Sequence, residues 1–228
     1  MVKRWLLALI VLASAHSLTA QTEAEESEPP FQAAEALSVT DIPAQNSCVV
    51  PGTVVLDVLV SDAGDAQAIE IRRNVPCFTD VAVQAVKEWK FSPAAMAGKP
   101  KASRVPVAVT FDPLIPDPGP TRLPALISQT EAAVQAEFQP AEVTRAANPP
   151  YPTSSGVVQG SVVLEVTLSA KGEEEEIQVL RDLPPFTDGA KAAAADWRFM
   201  PATFNGRPVP SKVLLAFVSQ PMIVNNYP

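Results

Sequence analysis

Histidine and cysteine bound what chemistry this chain could perform. Its one histidine, His16, falls in an N-terminal stretch that reads as a cleavable signal, so the mature chain would carry none. That removes histidine general-base catalysis, Ser-His-Asp machinery and the usual zinc sites together. The two cysteines, Cys48 and Cys77, stand at equal distances from a turn between Asp62 and Ala63. In a two-residue hairpin register that symmetry sets them opposite each other. For an exported protein the expectation is a Cys48–Cys77 disulfide, contributing about 3–4 kcal/mol by loop entropy. The alternative is a redox pair, which favours close spacing and a basic neighbourhood, and the sequence has neither. An enzyme built without these groups would need a Ser-Lys pair or paired carboxylates, and no constellation of either kind is visible. No catalytic residue, cofactor or metal ligand is therefore assigned. Glu173 to Glu176 form an acidic run at a hairpin turn without calcium-loop spacing, which reads as solvated charge. Trp89 and Trp197 recur among alanines at helical spacing and read as core anchors rather than ligand platforms. Arg73 and Arg181 end equivalent strands beside Asn74 and Asp182, which suggests hairpin salt bridges, with a partner's carboxylate as the alternative.

The elements that position these residues are written twice. Residues 46–113 align without a gap on residues 154–221 at an offset of 108, with 28 of 68 positions identical. Gly52, Gly64, Trp89, Phe91, Pro93 and Gly98 fall on Gly160, Gly172, Trp197, Phe199, Pro201 and Gly206. The motif FQAAE (31–35) echoes FQPAE (138–142) at an offset of 107. A unit of this length suits a small domain rather than a solenoid repeat.

Each unit opens on a two-residue alternation, Val54, Leu56, Val58 and Val60 in the first and Val162, Leu164, Val166 and Leu168 in the second. This predicts a half-buried strand, with Asp57 and Ser61, or Glu165, Thr167 and Ser169, on its polar face. A glycine turn at Gly64 or Gly172 leads into a second strand through Ile69 and Ile71, or Ile177 and Val179. Thr79-Asp80 and Thr187-Asp188 are N-cap residues for a helix carrying Ala82, Ala85, Val86 and Trp89, or Ala190, Ala193, Ala194 and Trp197. A last strand follows through Val105, Val107, Val109 and Phe111, or Val213, Leu215 and Phe217. The predicted fold is α+β: two tandem β-β-α-β domains, each a three-stranded antiparallel sheet covered by one helix. A right-handed crossover gives the strand order 2-1-3 and makes the last strand an edge open to another chain.

The organisation along the chain follows. Residues 1–20 read as a signal peptide with Lys3 and Arg4 at its positive end; a retained inner-membrane anchor is the alternative, on an apolar run about half of what a span needs. Residues 21–45 form an acidic, partly disordered segment. Residues 46–112 are the first repeat, 113–130 a proline-rich linker, and 131–228 the second repeat with a lead-in helix over 131–138. The full chain has 17 basic and 25 acidic residues. Loss of Lys3 and Arg4 makes it more acidic still, which disfavours nucleic acid and anionic membrane as partners.

In the second repeat Tyr151-Pro152, GSVVLEV (160–166), DWRFMPA (196–202) and NGRPV (205–209) stand in one order. The first repeat keeps EWKFSPA (88–94) and GKP (98–100), with Pro43-Ala44 where the Tyr-Pro pair would be. This pattern resembles the C-terminal domain of TonB, the periplasmic energy transducer. The resemblance implies a periplasmic protein-binding module that takes the N-terminal segments of outer-membrane transporters, or other envelope proteins, by strand addition to the last strand. Carried onto this chain, the partner-strand site is Ser211, Lys212, Val213, Leu214, Leu215, Ala216, Phe217 and Val218, or Ser103 to Phe111 in the first repeat. Pro106 removes a donor from the latter, which favours the second repeat. The apolar run Val213 to Val218 also suggests a strand covered on both faces. Two departures from the family stand out: the N-terminus looks cleavable, and the linker is too short to cross the periplasm. The rival reading is structural, with the two last strands pairing with each other, or across a homodimer, and no energy-transducing role.

Overall fold

A computed structural model describes residues 31–45, 51–113, 137–150 and 159–220. The expected signal peptide, Glu23 to Pro30, Cys48, most of the linker and of the expected lead-in helix, and Tyr151-Pro152 lie outside them.

The alternating stretches form the expected hairpins. In the first repeat β3 (Gly52–Val60) pairs antiparallel with β4 (Ala66–Arg73). In the second, β11 (Gly160–Leu168) pairs with β12 (Glu174–Arg181). Gly64 and Gly172 close the turns with φ of 89° and 79°. There is no room for a side chain at either: a Cβ on Gly172 would stand 2.8 Å from the carbonyl oxygen of Phe199. Both hairpins carry two register shifts. Cys77 sits in the turn leading into the helix, and no described cysteine is free.

Helices α1 (Thr79–Lys87) and α2 (Phe186–Ala195) follow, with Asp80 and Asp188 in their first turns. The N-cap positions belong to Phe78 and Pro185, and neither makes a side-chain cap. This corrects the capping expectation. Thr79 Oγ1 instead accepts the Val75 N–H at 2.9 Å and donates to Asn74 Oδ1 at 2.7 Å. Thr187 repeats the arrangement with the Leu183 N–H and Asp182. The two threonines fasten each helix to the end of its own hairpin.

Three short strands come next in each repeat: β5 (Lys90–Ser92), β6 (Ala94–Met96) and β7 (Lys99–Lys101), then β13 (Arg198–Met200), β14 (Ala202–Phe204) and β15 (Arg207–Val209). They receive strands from ahead of each repeat. β1 (Phe31–Gln32) pairs with β6 and β2 (Glu35–Ser38) with β5. β9 (Phe138–Gln139) pairs with β14 and β10 (Glu142–Arg145) with β13. Residues 31–38 are thus built into the fold, and Phe138 ends in a strand, not a helix. Phe31 stacks on Phe138 and Phe204 at 5.1 and 6.0 Å, joining the two lead-ins.

The last strands, β8 (Ser103–Pro113) and β16 (Ser211–Gln220), pair antiparallel with β3 and β11. Within each half the order is 2-1-3, as a right-handed crossover requires. The halves are not separate three-stranded sheets, however. β8 and β16 pair with each other in parallel, so that one six-stranded sheet runs β12-β11-β16-β8-β3-β4.

Two copies joined through parallel strands must face opposite ways, and the cores follow. Even-numbered β3 residues, Val54 to Val60, pack under α1 with Trp89 and Phe111, whereas Val55 belongs to the other core. That second core holds Val162, Leu164, Val166 and Leu168 with α2, Trp197 and Phe217. Because successive strand residues point to opposite faces, α1 and α2 lie on opposite sides of the sheet.

Candidate protein-interaction site

The predicted partner-strand residues sit at the centre of the molecule. Leu214 through Gln220 pair with Val107 through Pro113 on one side, and Gly160 through Leu168 with Ser219 through Ser211 on the other. This corrects the edge placement: both flanks of β16 are occupied by strands of the same chain. The ladder to β8 begins at Val107, just past Pro106, which has no N–H to give.

The side chains of β16 divide between the two cores. Val213, Leu215 and Phe217 face α2, while Leu214, Ala216 and Val218 reach the α1 core. Phe217 meets Trp197 edge-to-face at 6.0 Å. Ser211 is buried, and Lys212 is directed to carboxylates. The two-faced burial read from the apolar run is present, and the strand of the other repeat is what permits it.

The polar face expected on β3 and β11 is covered at Asp57, Ser61 and Glu165, while Thr167 and Ser169 stay half-buried. Asp57 is 4% exposed, Glu165 3% and Ser61 4%. The reason is that each lead-in crosses to the sheet of the other repeat. The Ala36 N–H on β2 donates to Glu165 Oε2 at 3.0 Å, and the Ile42 N–H to Ser161 Oγ at 3.0 Å. Asp41 Oδ1 accepts from Ser161 N–H and Oγ at 2.9 and 2.8 Å, and from Arg181 Nε at 3.1 Å. Arg181 therefore pairs across repeats rather than within its hairpin. Its counterpart Arg73 has a buried Nη1 with no hydrogen-bond partner.

The ion pairing of two basic residues on the last strands escaped the sequence reading. Lys212 Nζ contacts Glu165 Oε1 and Glu35 Oε1, each at 2.7 Å. Burial lowers the Lys212 pKa, but the hydrogen bonds it donates to Glu165 and Glu35 outweigh that and hold its pKa above the ordinary lysine value of 10.5. In the first repeat Arg104 Nη1 contacts Asp57 Oδ2 at 3.1 Å and Glu70 Oε2 at 3.0 Å. Burial raises the Asp57 pKa above 3.8 although Arg104 pulls against it. A signal existed: an acid on the first strand and a base on the last recur at the same offset.

Trp89 and Trp197 are core anchors, 1% and 2% exposed. Glu174, Glu175 and Glu176 lie exposed on β12, and among the described residues no cluster could hold a metal ion. Among them, too, no helix is long and apolar enough to cross a membrane.

The comparison with known families also finds two copies of one unit. Residues 50–113 and 147–218 match the family model described as Gram-negative bacterial TonB protein C-terminal. The chain belongs to the TonB C-terminal family. The two segments cover more than half of its 228 residues. A comparison with curated proteins returns no match. TonB C-terminal domains are envelope protein-interaction modules rather than enzymes, and outer-membrane transporters are among their partners. In this TonB-type chain, the last strands of the two repeats occupy each other's outer flank.

Proposed function

We propose that this chain is an exported protein-interaction module that works in the periplasm as a closed pair of TonB-type domains. It engages envelope proteins, outer-membrane transporters first among them, by strand addition at an outer edge of the sheet. The parallel pairing of β8 with β16 carries this reading, since it leaves β4 and β12 as the outer strands. β12 presents Glu174 to Glu176, charges that oppose edge-to-edge pairing. β4 presents Ala66, Gln67 and Ala68 and leaves Ile71 48% exposed, so β4 is the docking edge. Export through a cleaved signal and a Cys48–Cys77 disulfide belong to the same reading. Mass spectrometry of the exported protein would find Gln21 first and a mass two hydrogens short of the dithiol.

The deciding experiment is an NMR titration of the mature protein with N-terminal peptides of its host's outer-membrane transporters. Saturable shifts at residues 66–73, with 211–218 silent and protected from exchange, are the expected result. Shifts confined to 211–218 would mean that the halves open and the last strand is the receptor after all. Silence everywhere would favour the second reading, a self-paired structural unit without a separate ligand, which the β8–β16 ladder also supports.

A further inference from the structure

The two halves are closed unequally. Ala36 and Val143 hold equivalent places, paired with Phe91 on β5 and Phe199 on β13. Beneath Ala36, Glu165 divides its oxygens between Lys212 and the Ala36 N–H. Beneath β10 the equivalent acid is Asp57, shorter by one methylene. Its Oδ2 is held by Arg104, while Oδ1 is buried with no hydrogen-bond partner. The space left open is a cleft of about 140 Å³ between β3 and the segment 138–143. Val55, Pro106, Pro140, Val143, Met200 and Pro201 give it apolar walls. Its charged lining, Asp57 and Glu142 against Arg72 and Arg104, is balanced. A buried acceptor without a donor costs free energy that a ligand's N–H would recover. Balanced charge and apolar walls disfavour an ion and favour a neutral amide.

We propose that the cleft over Asp57 is a second binding site, which receives an extended apolar peptide segment of another protein and accepts one of its backbone N–H groups at Asp57 Oδ1. The other half of the molecule displays the interaction, since there the equivalent carboxylate accepts a backbone N–H from an extended strand. This site faces away from the α1 core and does not depend on which sheet edge takes a partner strand.

The probe is N-acetyl-Ala-Leu-Ala methylamide, titrated into the full mature chain and followed through the amides of Val55, Asp57, Val143 and Thr203. Saturable shifts are expected, and the fully N-methylated peptide should bind at least about tenfold more weakly, the loss of one hydrogen bond to a charged acceptor. Asp57→Glu lets the carboxylate reach β10 as Glu165 reaches β2, and should abolish binding. Thr203→Trp fills the cleft from its rim and should do the same should Asp57→Glu fail to fold. Equal binding of the N-methylated peptide, or undiminished binding by either folded variant, overturns the proposal. So does the absence of shifts, which would make the cleft a solvent site. A concentration-dependent dimer abolished by Thr203→Trp would make the occupant a second copy, and would overturn it as well.

Discussion

The backbone N–H of Ala36, ahead of the first repeat, donates at 3.0 Å to Glu165 Oε2 in the first strand of the second repeat. The same carboxylate holds Lys212 through its other oxygen. Truncating Glu165 leaves a backbone donor and an ammonium under cover. Glu165→Ala should destabilise the chain by about 3 kcal/mol, as breaking a buried pair does. Glu35, about half exposed, contacts the same lysine, yet Glu35→Ala should cost under about 1 kcal/mol. Urea denaturation of both variants checks the ranking.

The two tryptophans offer a matched comparison. Trp197 Nε1 donates to the Ala147 carbonyl at 2.9 Å, whereas Trp89 Nε1 is buried without a partner. Trp→Phe removes similar volume at both places. Trp197→Phe should therefore cost about 1 kcal/mol more than Trp89→Phe, the worth of one hydrogen bond. Equal costs would mean that the Ala147 contact contributes nothing.

Asp57 and Glu70 share Arg104 but respond to folding in opposite senses. Burial lifts Asp57 above 3.8. Burial acts the same way on Glu70, but Arg72 and Arg104 outweigh it, and its pKa lies below 4.5. An acid raised by folding contributes stability below its unfolded pKa and loses it as pH rises through the folded value. An acid lowered by folding contributes above its unfolded pKa and loses that as pH falls through the folded value. Relative to Asp57→Asn, the native chain should lose ground as pH rises from 3.8. Relative to Glu70→Gln, it should lose ground as pH drops below 4.5. Urea midpoints of the three proteins over roughly pH 3 to 7 read both slopes, and slopes of one sign would contradict the assignment.

Residues 137–220 expressed alone would present β16 as an open edge, with Leu214, Ala216 and Val218 stripped of the core they share with α1. Such a fragment should dimerise or aggregate, while the full chain unfolds in one transition. Light scattering and calorimetry would detect the contrary, a monomeric fragment and two separate transitions in the parent.

The strands and helices were legible because alternation and helical spacing are local signals, stated twice. The lead-in strands were not: EALS (35–38) and EVTR (142–145) are too short to alternate, and their pairing follows from a segment some 55 residues on. The edge assignment failed for a related reason. A single repeat does make its last strand an edge; only the presence of a second copy removes it. The apolar run Val213 to Val218 carried that information, since an exposed edge would not require apolar residues on both faces. Asp57 and Glu165 misled because charge on an alternating strand ordinarily marks solvent. Here it marks a facing base on the last strand, Arg104 or Lys212.

The strand that closes each half travels on the same polypeptide as the half it closes. Closure is thus independent of how much protein is present, whereas a dimer of single domains would come apart on dilution. Tethered strands meet at effective concentrations on the order of millimolar. A free peptide aimed at Val213 to Val218 has to outcompete a resident present at that level, so affinity sufficient for an isolated domain falls short here by about the ratio of the two concentrations. A second repeat on the same chain would thus raise the threshold for an incoming strand, rather than simply add a place for it to land.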